Sequence, residues 1–284
     1  MTDAEFQVRL KELAEDRQHG ASELARQALE ILAASSLTAP AKNLSPWLRS
    51  RSLALKNCRP SMAPIQRLLS LWEVRLQAQS SMNPAEIRQA ATAAAHQLIQ
   101  QSRQAVGTTV GEALSMIRPP CTIITHSLSS TVSQIFEGLR GTEVDIIVSE
   151  SRPLNEGHLL VRQLCEWGIS CRLITDAQLG LFAAESDLAL VGADSILADG
   201  TLINKSGTYL LALAARAAGI PFYVAAESFK RHQNQMPVIL EEMAPGELGA
   251  PSLPGLQVSN IYFDRTPARL ISAWINEHGP QPLP

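Results

Sequence analysis

The 284-residue chain lacks any uninterrupted apolar run near the roughly 18 residues that a membrane span requires. It also lacks a dense Lys/Arg block: 24 basic residues stand against 27 acidic ones, giving a formal charge of -3 and a pI near 6.1. Nucleic acid calls for a basic stripe, so it is not an expected partner, and neither is a membrane. The opening MTDAEFQVRLKELAEDR is charged and amphipathic where a secretory signal would carry an apolar centre, which makes the cytoplasm the expected location. The four cysteines show no CxxC spacing, and the six histidines do not join them at ligand spacing. No metal and no cofactor are therefore expected. Cys165 and Cys171 lie in an apolar stretch and read as buried, reduced thiols.

What is present is hydrophobic material, 45% of the residues, which suits one large core or two modest ones. The first hundred or so residues read as helical. Leu10, Leu13, Leu24, Ala25, Ala28, Leu29 and Leu32 recur at three- and four-residue spacing. Gly20 separates two helices in this reading, and LTAPAKNLSPW, with two prolines, reads as a loop. Periodicity resumes in PIQRLLSLWEVRLQAQ and again from Pro84, which suits a first helical turn; Gly107 is expected to end that helix.

After Pro119 and Pro120 the texture changes. CTIITH, VDIIVSE, CRLIT, LALVGAD and PFYVAA are short β-rich runs, with helical segments such as HLLVRQLCEWG and TYLLALAARAAG between most of them. Apolar strands alternating with helices predict a parallel sheet covered on both faces. The expected fold is α/β: a helical domain over residues 1–117, then a Rossmann-like domain over 118–284. The proline-rich tail GPQPLP is expected to be disordered.

In open sheets of this kind ligands bind beyond the carboxyl ends of the strands. The first strand runs into Ser127, Ser129, Ser130 and Thr131 at a helix start, which suits either simple capping or a phosphate cradle. Glu150 and Arg152 end the second strand, and can pair with each other or hold a ligand hydroxyl. Asp194 ends LALVGAD, as a helix-turn cap or as a general acid raised in pKa by apolar surroundings. Asn204 and Lys205 lead NKSGT into a helix, where Lys beside Gly can neutralise phosphate, although the spacing is not that of a nucleotide P-loop. Lys230 follows the last of these strands. Together they suggest a local anion site in a chain of negative net charge.

GADSILADGTLINKSGTYLLALAARAAGIPFYVAAESFK resembles a family that includes the alpha, beta and delta subunits of eukaryotic initiation factor 2B, methylthioribose-1-phosphate isomerase and ribose-1,5-bisphosphate isomerase. ITHS, VSESRP, GADSI, INKSGT and VSNIYFDRTP stand in the family's order; NCRPSMAPI and DRQHGASELA resemble its Arg-Pro and Arg-Gly-Ala segments. The resemblance implies a helical-plus-Rossmann architecture and a homodimer or higher homo-oligomer. It implies phosphate and sugar contacts at Gly20, Ala21, Arg59, Ser129, Ser130, Thr131, Asn204, Lys205 and Lys230. It also implies a catalytic pair, with Asp194 in place of the family's Asp and Ser127 where its isomerases carry Cys. A thiol titrates near pH 8.5, whereas a serine hydroxyl is a far weaker acid and needs an activating base. His126 adjoins Ser127, but neighbours on a strand point to opposite faces.

Two functions are expected on these grounds. One is an aldose–ketose isomerase of ribose-1-phosphate-type sugars. The other is a non-catalytic regulatory or sensor protein like the initiation-factor alpha subunit, binding a sugar phosphate or nucleotide; the replaced Cys and the segment AESFK favour it. In the first reading Cys58, beside Arg59, offers a conceivable replacement thiol.

Overall fold

The computed structural model describes residues 1–16, 19–60, 62–77, 83–232, 240 and 242–282. Residues 17, 18 and 61, which belong to two of the family-like segments, lie outside the described residues. Five helices come first: α1 (Asp3–Glu15), α2 (Ala21–Leu37), α3 (Leu44–Asn57), α4 (Ala63–Gln77) and α5 (Pro84–Met116). Gly20 is the N-cap of α2, so it does separate two helices. The expected loop LTAPAKNLSPW is shorter than read, because α3 starts at Leu44 and takes Pro46 into its first turn, where a missing N–H breaks no hydrogen bond.

Pro84 opens α5 behind a capping box made by Asn83 and Glu86. Gly107 does not end this helix. It continues for 33 residues to Met116, and a Cβ at Gly107 or Gly111 would meet nothing within 4 Å. Tertiary packing outweighs the roughly 1 kcal/mol penalty of each glycine. The first half of α5 buries Ala91, Ala95, Leu98 and Ile99 among the helices; its end buries Ala113 against the sheet layer. The single helix α5 thus contributes to both cores, and the first strand follows it at Cys121.

The second part contains β1 (Cys121–Thr125), α6 (Ser130–Gly138), β2 (Val144–Ser149), α7 (Glu156–Glu166), β3 (Ser170–Ile174), α8 (Leu179–Ala183), β4 (Leu188–Val191), β5 (Ser195–Ile196), β6 (Leu202–Lys205), α9 (Thr208–Ala218), β7 (Phe222–Ala225), β8 (Phe263–Thr266), β9 (Ala273–Asn276) and β10 (Gly279–Gln281). The main sheet has the order β10-β9-β7-β4-β1-β2-β3 and is parallel except for β10. One face packs on α5, α6 and α7 through Val132, Ile135, Phe136, Leu160 and Leu164. The other packs on α8 and α9 through Leu179, Leu211, Ala212 and Ala215.

The five expected strands are all present, but NKSGT is not a helix start as read. Asn204 and Lys205 end β6, the centre of a small antiparallel sheet β5-β6-β8, and α9 begins three residues later at Thr208. The tail is also different: Gly279–Gln281 pairs with β9 as an edge strand, where prolines are tolerated. Residues 283 and 284 lie outside the described residues. Finally, Cys165 is exposed and Cys171 only half-buried, their sulfurs 3.8 Å apart. β3 is the edge of the sheet, so the apolar run around these thiols does not imply enclosure.

Candidate active site

The sheet changes winding direction between β1 and β4: β2 and β3 extend to one side, β7 and β9 to the other. Chains leaving the two central strands diverge there and leave a crevice at their carboxyl ends. A cavity of about 410 Å³ occupies this position, roofed by the helical part. Its wall carries Arg59 and Gly20 from the roof, Ser127 and Ser130 from after β1, Glu156 from α7, and Asp194 and Lys205 from around the small sheet.

Each of these is placed by local structure. Ser127 follows β1 with φ of 68° and turns out of the strand direction, its N–H donating to Ser151 Oγ at 2.7 Å. Ser151 also has positive φ, 61°, and its N–H donates to Asp176 Oδ1 at 2.8 Å. Left-handed serines are costly, and this hydrogen-bonded ladder across the ends of β1, β2 and β3 holds both. Gly192 follows β4 where a Cβ would lie 2.3 Å from Ser129 Oγ, so only glycine lets the two chain ends approach so closely.

His126 points the opposite way from Ser127. It is 2% exposed; its Nε2–H donates to the Ser206 carbonyl at 2.8 Å, and Nδ1 accepts from Ser149 Oγ at 2.6 Å. Burial holds its imidazole below the usual histidine range, the nearby Asp176 acting in the other direction. A neutral ring so engaged orients the Ser206 turn and does not activate Ser127.

The partner of Ser127 is Glu156, which the sequence reading did not single out. Ser127 Oγ donates to Glu156 Oε2 at 2.7 Å, while Lys205 Nζ donates to Glu156 Oε1 at 3.1 Å. Lys205 is 3% exposed, and its ammonium lies 4.1 Å from the Tyr262 ring centroid. Glu156 stands at the first position of α7, where an acidic group faces the positive helix end. Its neighbour Gly157 permits this, because a Cβ there would lie 1.9 Å from the Ser149 carbonyl oxygen. The legible signal was the run VSESRP followed by a helix start; the reading stopped two residues after Glu150.

Two helix N-termini meet at the cavity. Gly20 supplies no side-chain cap to α2, and a Cβ on it would lie 3.6 Å from Ser130 Oγ at the start of α6. The partial positive charge and backbone N–H groups of a helix start suit an anion. Ser129 itself caps α6 by accepting from Val132 N–H at 3.4 Å, which is the plain capping role. Thr131 is buried behind it, and neither residue is on the wall. Arg59 reaches the cavity while donating through Nη1 to the carbonyls of Ala14 and Asp16, so it also ties down the end of α1. Arg26 contributes a further guanidinium, held by Glu23 and, at 3.2 Å, by Ser102.

Several expected contacts lie elsewhere. Asn204 donates through Nδ2 to Thr208 Oγ1 at 3.0 Å and braces the start of α9. Ala21 is buried, and Lys230 is buried in the turn Ser228–Lys230 beside α4; neither is on the cavity wall. Arg152 is exposed and donates to the Leu248 carbonyl at 3.2 Å, not to Glu150, and neither member of this pair lines the cavity. Cys58 Sγ donates to the Leu55 carbonyl at 3.0 Å, and Cys58 too is off the wall. Among the described residues, the Arg and Lys side chains on the wall are Arg26, Arg59 and Lys205, against the acidic Asp16, Glu23, Glu137, Glu156 and Asp194. Among the described residues no group of three His, Cys, Asp or Glu is arranged to hold a metal, and no helix is long and apolar enough to cross a membrane.

Comparison with known proteins places this geometry. The chain is 32% identical over 276 residues to a putative translation initiation factor eIF-2B subunit 2-like protein of Pyrococcus furiosus, covering 95% of this chain and 94% of that one. It is 33% identical over 273 residues to a ribose 1,5-bisphosphate isomerase of Archaeoglobus fulgidus, covering 93% and 85%. The crystal structure of translation initiation factor eIF-2B from Pyrococcus horikoshii superposes with a TM-score of 0.87 at 31% identity, over 100% of this chain and 98% of that one. Residues 17–282 match the model of the initiation factor 2 subunit family, and the chain belongs to that family.

Proposed function

We propose that this protein binds a sugar phosphate at the crevice between β1 and β4 and acts as an aldose–ketose isomerase of ribose-1-phosphate-type substrates. The observation that carries the reading is that Ser127, Asp194, Lys205 and Arg59 share one wall with two helix N-termini. Phosphate is held by Arg59, Lys205 and the backbone N–H groups at the starts of α2 and α6. Asp194 donates a proton to the ring oxygen as the C1–O bond opens, and takes back the C2 hydroxyl proton when the ketone forms. The identity to ribose 1,5-bisphosphate isomerases and to a methylthioribose-1-phosphate isomerase supports this chemistry. The test is to incubate the protein with ribose 1,5-bisphosphate and with methylthioribose 1-phosphate and follow the ketose by NMR. Formation of either ketose is expected; no turnover of both, together with no gain in Ser127→Cys, would dismiss the reading for these substrates.

A second reading is favoured by one observation, the serine at 127 in place of a readily ionised thiol. On that reading the same pocket senses a sugar phosphate or nucleotide and passes the signal to a partner or to further copies of the chain. Likeness to proteins named as initiation factor subunits supports it. Stabilisation by sugar phosphate in a thermal-shift series, without any conversion, is the outcome that selects it. A homo-oligomer working in the cytoplasm fits either reading.

A further inference from the structure

The isomerase reading leaves one step without an agent, since hydrogen must leave C2 and arrive at C1, and the neutral hydroxyl of Ser127 is a poor base unless another group takes its proton. We infer that Glu156 is the base that carries this proton, with Ser127 as its positioning residue. The inference rests on the isomerase reading and extends it to a residue outside the Asp194–Ser127 pair.

Three features of Glu156 support the assignment. Its carboxylate lies on the cavity wall with Oε2 2.7 Å from Ser127 Oγ, so it reaches the same part of the pocket. Both oxygens are fixed from opposite sides, one by the serine hydroxyl and one by the Lys205 ammonium at 3.1 Å. The backbone that carries it is also fixed, because Gly157 is packed against the end of β2 and leaves no room for a Cβ. A carboxylate accepts a C–H proton without a separate activating base, and glutamate serves this purpose in triosephosphate isomerase, an unrelated aldose–ketose isomerase. No comparable hydrogen bond reaches Ser127 Oγ from His126, which is committed to Ser149 and Ser206.

The step balances without an oxidant or reductant. Once the ring is open, the C2–H bond breaks, the proton passes to the Glu156 carboxylate, and the electron pair forms the C1–C2 double bond of an enol that retains phosphate on O1. Glu156 then returns the proton to C1 while the C2 hydroxyl loses its own to Asp194, which completes the ketose. Lys205 is shared between Glu156 and the incoming phosphate, so substrate binding loosens the resting ion pair as the carboxylate is brought to the carbon.

The test is Glu156→Gln, assayed with both sugar phosphates by NMR and by calorimetry. Turnover is expected to fall by about 10²–10⁴-fold, the usual range for a general base. The Kd for substrate is expected to stay within threefold or tighten, because Lys205 is released. Ser127→Ala is expected to keep substrate affinity and lose only about tenfold in kcat, and Glu156→Asp, which retains the charge opposite Lys205, to lie between wild type and Glu156→Gln in kcat. A Glu156→Gln variant with more than a tenth of wild-type kcat overturns the assignment while leaving the isomerase reading intact. So does a variant whose loss is wholly in Kd, since Glu156 is then a binding anchor. If Glu156→Gln fails to fold, Glu156→Asp with unchanged kcat overturns it alone. A wild-type protein without turnover on either substrate, together with no gain in Ser127→Cys, removes the isomerase reading and the role of Glu156 with it.

Discussion

The loop after β1 and the loop after β7 both leave the sheet through polar residues, and they end up in opposite environments. After β1, Ser127 faces a cavity and meets a charged partner. After β7, Glu227 is completely buried and accepts a hydrogen bond from Ser22 of α2, while Lys230 is buried beside α4. Nearby, Ala63 N–H at the start of α4 donates to the buried Ser195 Oγ of β5 at 2.9 Å. One strand end therefore serves the pocket and the other fastens the helical roof to the sheet. Polarity at a strand end is necessary for a site of this kind, and it is not sufficient, because the seam between two packed parts also needs hydrogen bonds wherever it buries backbone or charge.

Gly207→Ala strikes the pocket side of this comparison hardest. Its φ is 112°, and a Cβ would lie 2.6 Å from Cε1 and Nε2 of a His126 ring that two hydrogen bonds prevent from moving. A loss of about 2–5 kcal/mol is expected in denaturant unfolding, from backbone strain and overpacking together. A fully stable variant would show that the His126 turn is not rigid.

Asp264 offers the next largest effect, and it depends on pH. Its Oδ2 accepts from Gly207 N–H at 2.8 Å and Tyr209 N–H at 3.0 Å at the start of α9, yet burial pushes its pKa up to about 6 against those two donors. The folded state therefore holds this proton more tightly than the unfolded chain does. Stability from this residue is greatest below about pH 4, the usual aspartate value, and falls as pH rises through about 6, by roughly 2–3 kcal/mol. Melting curves of wild type and Asp264→Asn between pH 4 and 7 should diverge in that sense, with wild type losing ground as pH rises; parallel curves would contradict it.

On the seam side, Ser22→Ala removes the donor to a completely buried carboxylate. The expected loss is about 1–3 kcal/mol in unfolding free energy, with ligand affinity little changed. An equal loss of affinity would mean that the seam and the pocket are one unit. The smallest effect belongs to Arg152→Ala. Its guanidinium is on the surface with a carbonyl partner, and sugar-phosphate affinity by calorimetry should remain within twofold.

Much of this was legible in the chain. The five parallel strands are visible as continuous apolar runs because the sheet is covered on both faces, and Ser127 and Asp194, at the ends of two of those runs, line the cavity. Lys205 also lines the cavity, but from a strand where the sequence suggests a helix start: the four-residue antiparallel strand LINK is too short for its alternation to be told from the approach to a helix. Lys230 and Asn204 carry the same kind of signal but are not on the wall: Lys230 is buried in the turn beside α4, and Asn204 donates to Thr208 at the start of α9. Nothing in their local sequence distinguishes those uses.

The sequence by itself determined the alternation of strands and helices, the helical block before it, and the side of the sheet on which polar chemistry would gather. These follow from period, burial and chain direction, which are local or nearly so. Which polar residues share a cavity, that α5 runs unbroken through two cores, and that Glu156 stands between Ser127 and Lys205 are set by packing between distant parts of the chain. Those outcomes depend on contacts between residues 29 and 49 positions apart in the chain. No local pattern encodes such distances; the reversal of winding between the neighbouring parallel strands β1 and β4 brings these residues together.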